Sequence, residues 1–406
     1  MEKKTQIKCG WLIDGLGGQV QENVTLTING DRIEKIDQDA TLPSLVDTYI
    51  DLSHCTITPP LADSLVYLFM SATTDKTVRE TQLQSSCTEL GPAIKRHLND
   101  LFSYGILGFR DGGDHGGCSR QFCQSADLHP ELTAQCAGKA WHKKGQYGAY
   151  FGRAVASNTN LATLFDSSFA DSDVVRVFNS GLNSLQELGK ETEPQFSTEE
   201  LRELVAVAEE KNQKVTVHAN GPEAVHRAIA AGCQSIEHGF FMGEDNLKRL
   251  ADSGIFWVPT VFTIKAFGLF RRFIRQQSDA GVIQKTLENQ LNQLRLAKEL
   301  GVKVALGTAA GSLGVLHGEA MVEELKLFKK AGYTLSEAIQ CATTRSAALL
   351  GLKQFQGISA GKAATFLICR GAPSQLPRKL LYLESMWING KPSPYYRKNP
   401  VKHVAQ

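Results

Sequence analysis

The sequence predicts an α/β protein, a (β/α)8 barrel accompanied by a small β domain built from both chain ends, and three observations carry that expectation. Residues 5–58 run in short segments of alternating apolar and polar positions. From about 59 to 350 short apolar runs alternate with long amphipathic stretches, the grammar of repeated β-then-α units. After Leu350 the strand grammar returns. Taken together they divide the chain into residues 1–58 with 359–406 as the β domain and 59–358 as the barrel.

At the N-terminal end, Val24, Leu26 and Ile28 alternate with Thr25 and Thr27 and lead into Asn29-Gly30, a hairpin signal of type I′ in an antiparallel unit. In the middle, residues 106–109, 174–178, 214–218, 235–238, 256–259 and 302–307 read as short buried strands. Segments such as 198–212 and 288–300 read as the helices between them. Residues 365–369 and 385–391 are the closing strands, the second containing another Asn-Gly pair, Asn389-Gly390.

Composition narrows the function classes. The 406 residues are 42% hydrophobic, 21% charged and 8% aromatic, ordinary for a globular protein. Forty-four Lys plus Arg against 42 Asp plus Glu leave a net charge of +2, so neither nucleic acid nor an anionic membrane is expected as a partner. Nine cysteines lie scattered from Cys9 to Cys369 without a C-x-x-C pair, which reads as neither a zinc ribbon nor a disulfide framework. Free thiols, no apolar leader and no run of about 18 apolar residues give the expectation of a cytoplasmic protein.

In a barrel of this type chemistry is mounted at the C-terminal ends of strands. Two consecutive strands end in histidine, at His218 and His238, and neutral imidazoles placed side by side can bind a divalent metal. The blocks around them resemble the amidohydrolase superfamily of metal-dependent hydrolases, in its imidazolonepropionase-like and Xaa-Pro-dipeptidase-like branch. The matching blocks are Ile57-Thr58-Pro59-Pro60-Leu61-Ala62-Asp63, Gly108-Phe109-Arg110-Asp111, Val217-His218-Ala219-Asn220, Ile236-Glu237-His238-Gly239 and Ala305-Leu306-Gly307-Thr308, followed by 342–351 and 357–362. The resemblance implies a β-sandwich for the composite domain and hydrolysis of amide or cyclic amide C–N bonds, with metal-activated water as nucleophile.

It also implies a ligand set that this chain lacks. Where the family has two histidines after the first barrel strand, Leu65 and Tyr67 stand. The carbamylated lysine of the fourth strand is replaced by Arg176, which stays protonated and cannot form a carbamate. The aspartate of the eighth strand is replaced by Ala309, so only His218 and His238 remain. The expectation is an eroded metal centre, with no cofactor and a barrel mouth used to bind a small, possibly anionic molecule or a partner. Arg176, Asp111, Tyr147 and His317 are the candidate binding residues. Arg176 could instead pair with Asp111. Two alternatives stay open. One is an active hydrolase with one zinc or other divalent metal on His218, His238 and an acid such as Asp111 or Glu319. The other is a metal-independent lyase or isomerase using Tyr67, His238 and Arg176. A homo-oligomer, or an assembly with an intact relative, is the expected quaternary form of such a pseudoenzyme.

Overall fold

The computed structural model describes residues 4–39, 46–273 and 277–398. The N-terminal strands are β1 (Lys4–Leu12), β2 (Gln21–Asn29), β3 (Arg32–Gln38) and β4 (Thr48–Thr58). The central region contributes β5 (Leu61–Val66), β6 (Ile106–Asp111), β7 (Thr133–Cys136), β8 (Ala140–Lys143), β9 (Gly152–Val155), β10 (Val175–Phe178), β11 (Val215–Ala219), β12 (Ser235–His238) and β13 (Phe256–Val258). The closing strands are β14 (Phe366–Arg370), β15 (Leu383–Ile388) and β16 (Lys391–Pro392).

Both ends of the chain meet in one seven-stranded sheet of order β16-β15-β14-β4-β1-β2-β3. The expectation of a purely antiparallel N-terminal unit is corrected, because β1 runs parallel to β4 while the other neighbours are antiparallel. Ile7, Val24, Leu26, Ile33, Ile57 and Phe366 form a core of their own between strands of both ends. The two Asn-Gly hairpins differ. Asn389 (φ 49°) and Gly390 (φ 80°) both lie in the left-handed region that a type I′ turn needs, and Ile388 pairs with Lys391 around them. In the first hairpin Asn29 pairs with Arg32, so the central residues are Gly30 and Asp31, and only Gly30 has positive φ (61°). A type I′ turn needs positive φ at both, so that expectation is not met.

The central region holds helices on parallel sheets of three (β5-β6-β7) and six (β13-β12-β11-β10-β8-β9) strands. Its early helices are α1 (Lys76–Gln82), α2 (Cys87–Ser103), α3 (Cys118–Cys123) and α4 (Leu161–Asp166). They are followed by α5 (Thr198–Glu210), α6 (Pro222–Ala230), α7 (Glu244–Ser253), α8 (Val261–Leu269), α9 (Ala280–Leu300), α10 (Glu319–Lys330), α11 (Leu335–Gln340) and α12 (Ser346–Leu350). Helix α5 starts where Ser197 and Glu200 cap one another's backbone, and it buries Leu201, Leu204 and Ala208 along one face.

The expected strand at 302–307 is not a regular one. Its backbone bonds to β13 through Trp257 N to Lys303 O and Ala305 N to Trp257 O, both 2.9 Å. It then bonds to β5 through Ser64 N to Leu306 O (2.9 Å) and Ala309 N to Leu65 O (2.8 Å). Residues 303–310 therefore bridge the edges of the two parallel sheets. Beyond β7, Asp173 N, just ahead of β10, donates to Cys136 O at 2.9 Å.

Cys87 and Cys118 form a disulfide that ties the first turn of α2 to the first turn of α3. This corrects the reading of the cysteines as uniformly unpaired; Cys9, Cys55, Cys123, Cys136, Cys233, Cys341 and Cys369 are free and buried. Among the described residues no helix is long and apolar enough to cross a membrane.

Candidate functional site

Parallel pairing of β11 with β12 places His218 beside Glu237 and Ala219 beside His238, so the two imidazoles end neighbouring strands. Their ring centroids are 4.5 Å apart, edge to face. His218 packs against Phe178 and Tyr147 at 4.9 and 5.5 Å. Its Nε2 lies 3.3 Å from Gly181 O, which can only accept, and 3.5 Å from Asn220 Nδ2, which can only donate; the shorter contact favours the ring proton on Nε2. Nδ1 is left buried with no hydrogen-bond partner. His238 bonds through Nδ1 to Thr260 Oγ1 at 2.8 Å. Its backbone sits at φ 68°, unusual for a residue with a side chain, and its carbonyl accepts from Trp257 Nε1 (3.0 Å) and Gln290 Nε2 (2.7 Å). Burial first, with His238 and the Arg176 charge adding, drives the His218 pKa well down. Burial and then Arg176 take His238 to about 3, so both rings are neutral near pH 7.

Beneath them Arg176 is completely buried on β10. Its Nε donates to Glu237 Oε2 at 2.7 Å, Nη1 to Gly112 O at 2.9 Å and Nη2 to Tyr67 Oη at 2.8 Å. Glu237 is equally buried and takes a further bond from Thr216 Oγ1 at 3.1 Å. The rings of Phe178 and Tyr67 lie 4.6 and 5.2 Å from the guanidinium carbon. Burial disfavours the Arg176 charge, but Glu237 and Tyr67 more than offset it and hold its pKa above the ordinary value. Burial also raises the Tyr67 phenol to about 12, with Arg176 opposing.

The expectation that Arg176 offers its guanidinium to a ligand is therefore corrected. Its donors are spent on Glu237, Gly112 and Tyr67, and it does not line the cavity at the strand ends. The alternative pairing with Asp111 is corrected too. Asp111 accepts from the backbone N–H groups of Leu68 and Gly113, both at 2.9 Å, away from the cavity, and burial raises its pKa to about 7. His317 also lies outside the cavity, stacked on His97 at 4.1 Å with Nε2 3.2 Å from Tyr67 O. Tyr67, Tyr147, His218 and His238 do line it.

That cavity measures about 380 Å³ and has aromatic walls including Tyr147, Phe151 and Phe240. Helix α1 brings Lys76, Arg79 and Glu80 to its lining. Gly112 is a packing requirement: a Cβ there would stand 2.6 Å from Tyr67 Cε1 and 3.0 Å from Leu65 Cδ1.

The donor set does not fit a catalytic metal. A catalytic zinc takes three protein ligands, and among the described residues no group of three or more His, Cys, Asp or Glu side chains could hold a metal ion. Leu65 and Ala309 meet through a backbone bond, offering only apolar side chains, and Arg176 adds a cation.

Sequence reasoning missed Glu237, Phe178 and the α1 residues, whereas Phe151 lies in the aromatic segment 141–152, which the sequence offers equally as a substrate-covering or an ordinary surface loop. Glu237 was open to inference, since a buried Arg176 requires a buried anion and β12 carries one next to His238. Lys76 and Arg79 gave no signal, because no strand ends there.

The model of the amidohydrolase family matches residues 156–398, more than half of the chain. A solved Xaa-Pro dipeptidase with methionine bound in its active site shares 26% identity, with a TM-score of 0.80 over 96% of this chain and 99% of that one. Ochratoxinase from Aspergillus niger is 31% identical over 159 residues, 39% of this chain and 32% of the enzyme. Its crystal structure superposes with a TM-score of 0.76 and 20% identity, covering 97% of this chain and 96% of that one. An uncharacterized protein of Mycobacterium tuberculosis is 26% identical over 199 residues, 49% of this chain and 52% of its own length. By sequence the chain thus spans only a third to a half of the curated relatives it matches. The family match, together with the paired histidines at the ends of adjacent parallel strands, places the chain in the amidohydrolase family.

Proposed function

We propose that this amidohydrolase-family chain is a metal-independent binding protein, a pseudoenzyme that receives a small molecule at the mouth of a (β/α)8 barrel. The observation that carries the reading is the buried Arg176–Glu237 pair with Tyr67 above it. It sets a neutralised cation where the family resemblance implies a metal-bridging anion, so the negative charge that would hold a dication there is missing. The barrel reading is supported by residues 303–310, which bond to β13 on one side and β5 on the other. In this reading 59–358 form the barrel, and 1–58 with 359–406 form the β-sandwich-like companion.

The relatives named above are, by their names, a hydrolase of Xaa-Pro dipeptides and an ochratoxinase. Amides are accordingly the first compounds to try as ligands. The lyase or isomerase alternative has a protonated Tyr67 and a neutral His238 at pH 7. However, pKa values of about 12 and about 3 are poorly matched to proton transfer, which weighs against it. We extend the proposal to a cytoplasmic, self-associating protein. Exposed Tyr150, Leu182 and Phe273 around the cavity supply apolar contact surface, and light scattering would test the association.

The deciding experiment is metal content by inductively coupled plasma mass spectrometry, on protein expressed with added zinc and manganese and purified without chelators. The expected result is below about 0.1 equivalent per chain. One tight equivalent, lost in His218→Ala or His238→Ala, would restore the mononuclear hydrolase.

A further inference from the structure

We infer that the molecule received at the mouth is an amphipathic anion, with a flat apolar body and an anionic group held outermost by Arg79 and Lys76. This deepens the binding reading above and rests on it. Two observations assign the two parts.

The cavity of about 380 Å³ suits a ligand of two or three rings, and Tyr147, Phe151, Phe240, Phe267 and Leu313 make its sides apolar. Among the described residues, charge enters it from α1. Lys76 and Arg79 reach the lining from α1, and neither is in an ion pair among the described residues. Arg79 is half-buried, and its hydrogen bond, from Nη1 to Thr73 O, is long at 3.5 Å, leaving most of its fork of donors free to meet an anion. Glu80, the acid of this lining, has a partner of its own and no ion pair with either cation.

The inner end offers an anion no such partner. Arg176, the cation beneath it, does not line the cavity and is neutralised by Glu237. An anion is therefore placed at the α1 side.

Two fluorescent probes of one skeleton test the anion: 8-anilinonaphthalene-1-sulfonate, which carries rings and a sulfonate, and N-phenyl-1-naphthylamine, which lacks only the sulfonate. The sulfonate probe is expected to bind once per chain and about tenfold more tightly than the neutral one. Arg79→Gln should remove about that tenfold advantage, Arg79→Lys should restore part of it, and the neutral probe should change by less than about twofold. Lys76→Gln repeats the test on a more exposed side chain should Arg79→Gln fold poorly by circular dichroism. Tyr147→Ala should weaken both probes, locating them in the cavity. Equal affinities of the two probes, unaltered by Arg79→Gln and Lys76→Gln but lost in Tyr147→Ala, overturn the anion inference alone. If neither probe binds the wild type, or both ignore Tyr147→Ala, the small-molecule reading falls with it.

Discussion

Arg176 and Glu237 share one buried site, and neither can be removed alone without stranding the other's charge. Arg176→Met leaves the Glu237 carboxylate with Thr216 Oγ1 as hydrogen-bond donor and the buried Arg110 as the cation still acting on it, and is expected to cost about 3 kcal/mol in urea unfolding. Changing Glu237→Gln in the same chain removes the stranded charge, so the double variant should recover at least about 2 kcal/mol of that loss. A double variant no more stable than Arg176→Met would show that the pair is not the electrostatic unit described. Tyr67 moves with it, because its hydroxyl is bonded to Arg176 while Gly112 packs against its ring.

Among the elements, α8 shows how a buried acid is tied to the site. Glu324, on α10, accepts from the first backbone N–H groups of α8, Val261 (2.7 Å) and Phe262 (2.6 Å), directly after Thr260, the residue that holds His238. Burial raises its pKa to about 8, with the two backbone bonds opposing. A carboxyl whose folded pKa is raised binds its proton more tightly when folded than when unfolded. Its protonated form therefore favours folding at low pH, and stability is lost as pH rises from about 4.5 through about 8. Glu324→Gln, which does not titrate, is expected to be less stable than wild type at pH 5, with a deficit that shrinks by at least about 1 kcal/mol at pH 8.5. A deficit independent of pH would contradict the raised pKa.

The same elements show where the sequence was legible. Strands β6, β10, β11 and β12 stood out because short apolar runs sat between amphipathic stretches, and His218 and His238 stood out because they ended two of them. Residues 302–307 read as a strand but make only bridging contacts, and Gly307 lies so close to β5 and β13 that a Cβ there would stand 2.5 Å from Val258 and 3.0 Å from the Leu65 backbone. Two of the partners of Arg176 were not legible for a different reason. Gly112 and Tyr67 come from separate loops after β6 and β5, and only the folded arrangement brings them to the cation that Glu237 already requires.

For the whole molecule, charge and cysteine usage bear on where the fold is made. The Cys87–Cys118 bond joins α2 to α3, whereas the remaining thiols are buried singly. Disulfides persist in oxidising compartments, so this bond is in tension with a reducing cytosol. Thiol titration of the denatured, unreduced protein should find the seven free cysteines, the nine of the sequence less the bonded pair. Nine reactive thiols in protein isolated from its native source would show that the pair is kept reduced there.

The seven-stranded sheet also imposes an order on biosynthesis. Ile57 of β4 pairs with Ile368 of β14, with the whole central region between them in the chain. At about 5–20 residues per second of translation, the β4 edge waits on the order of tens of seconds for its neighbour to be made. During that interval Cys55–Thr58 present an unpaired strand edge, open to the wrong partner, while the helices and parallel strands behind them are already emerging. A ribosome stalled before Phe366 would release a chain with that edge permanently open, so the last strands made act as the lock on the first ones folded.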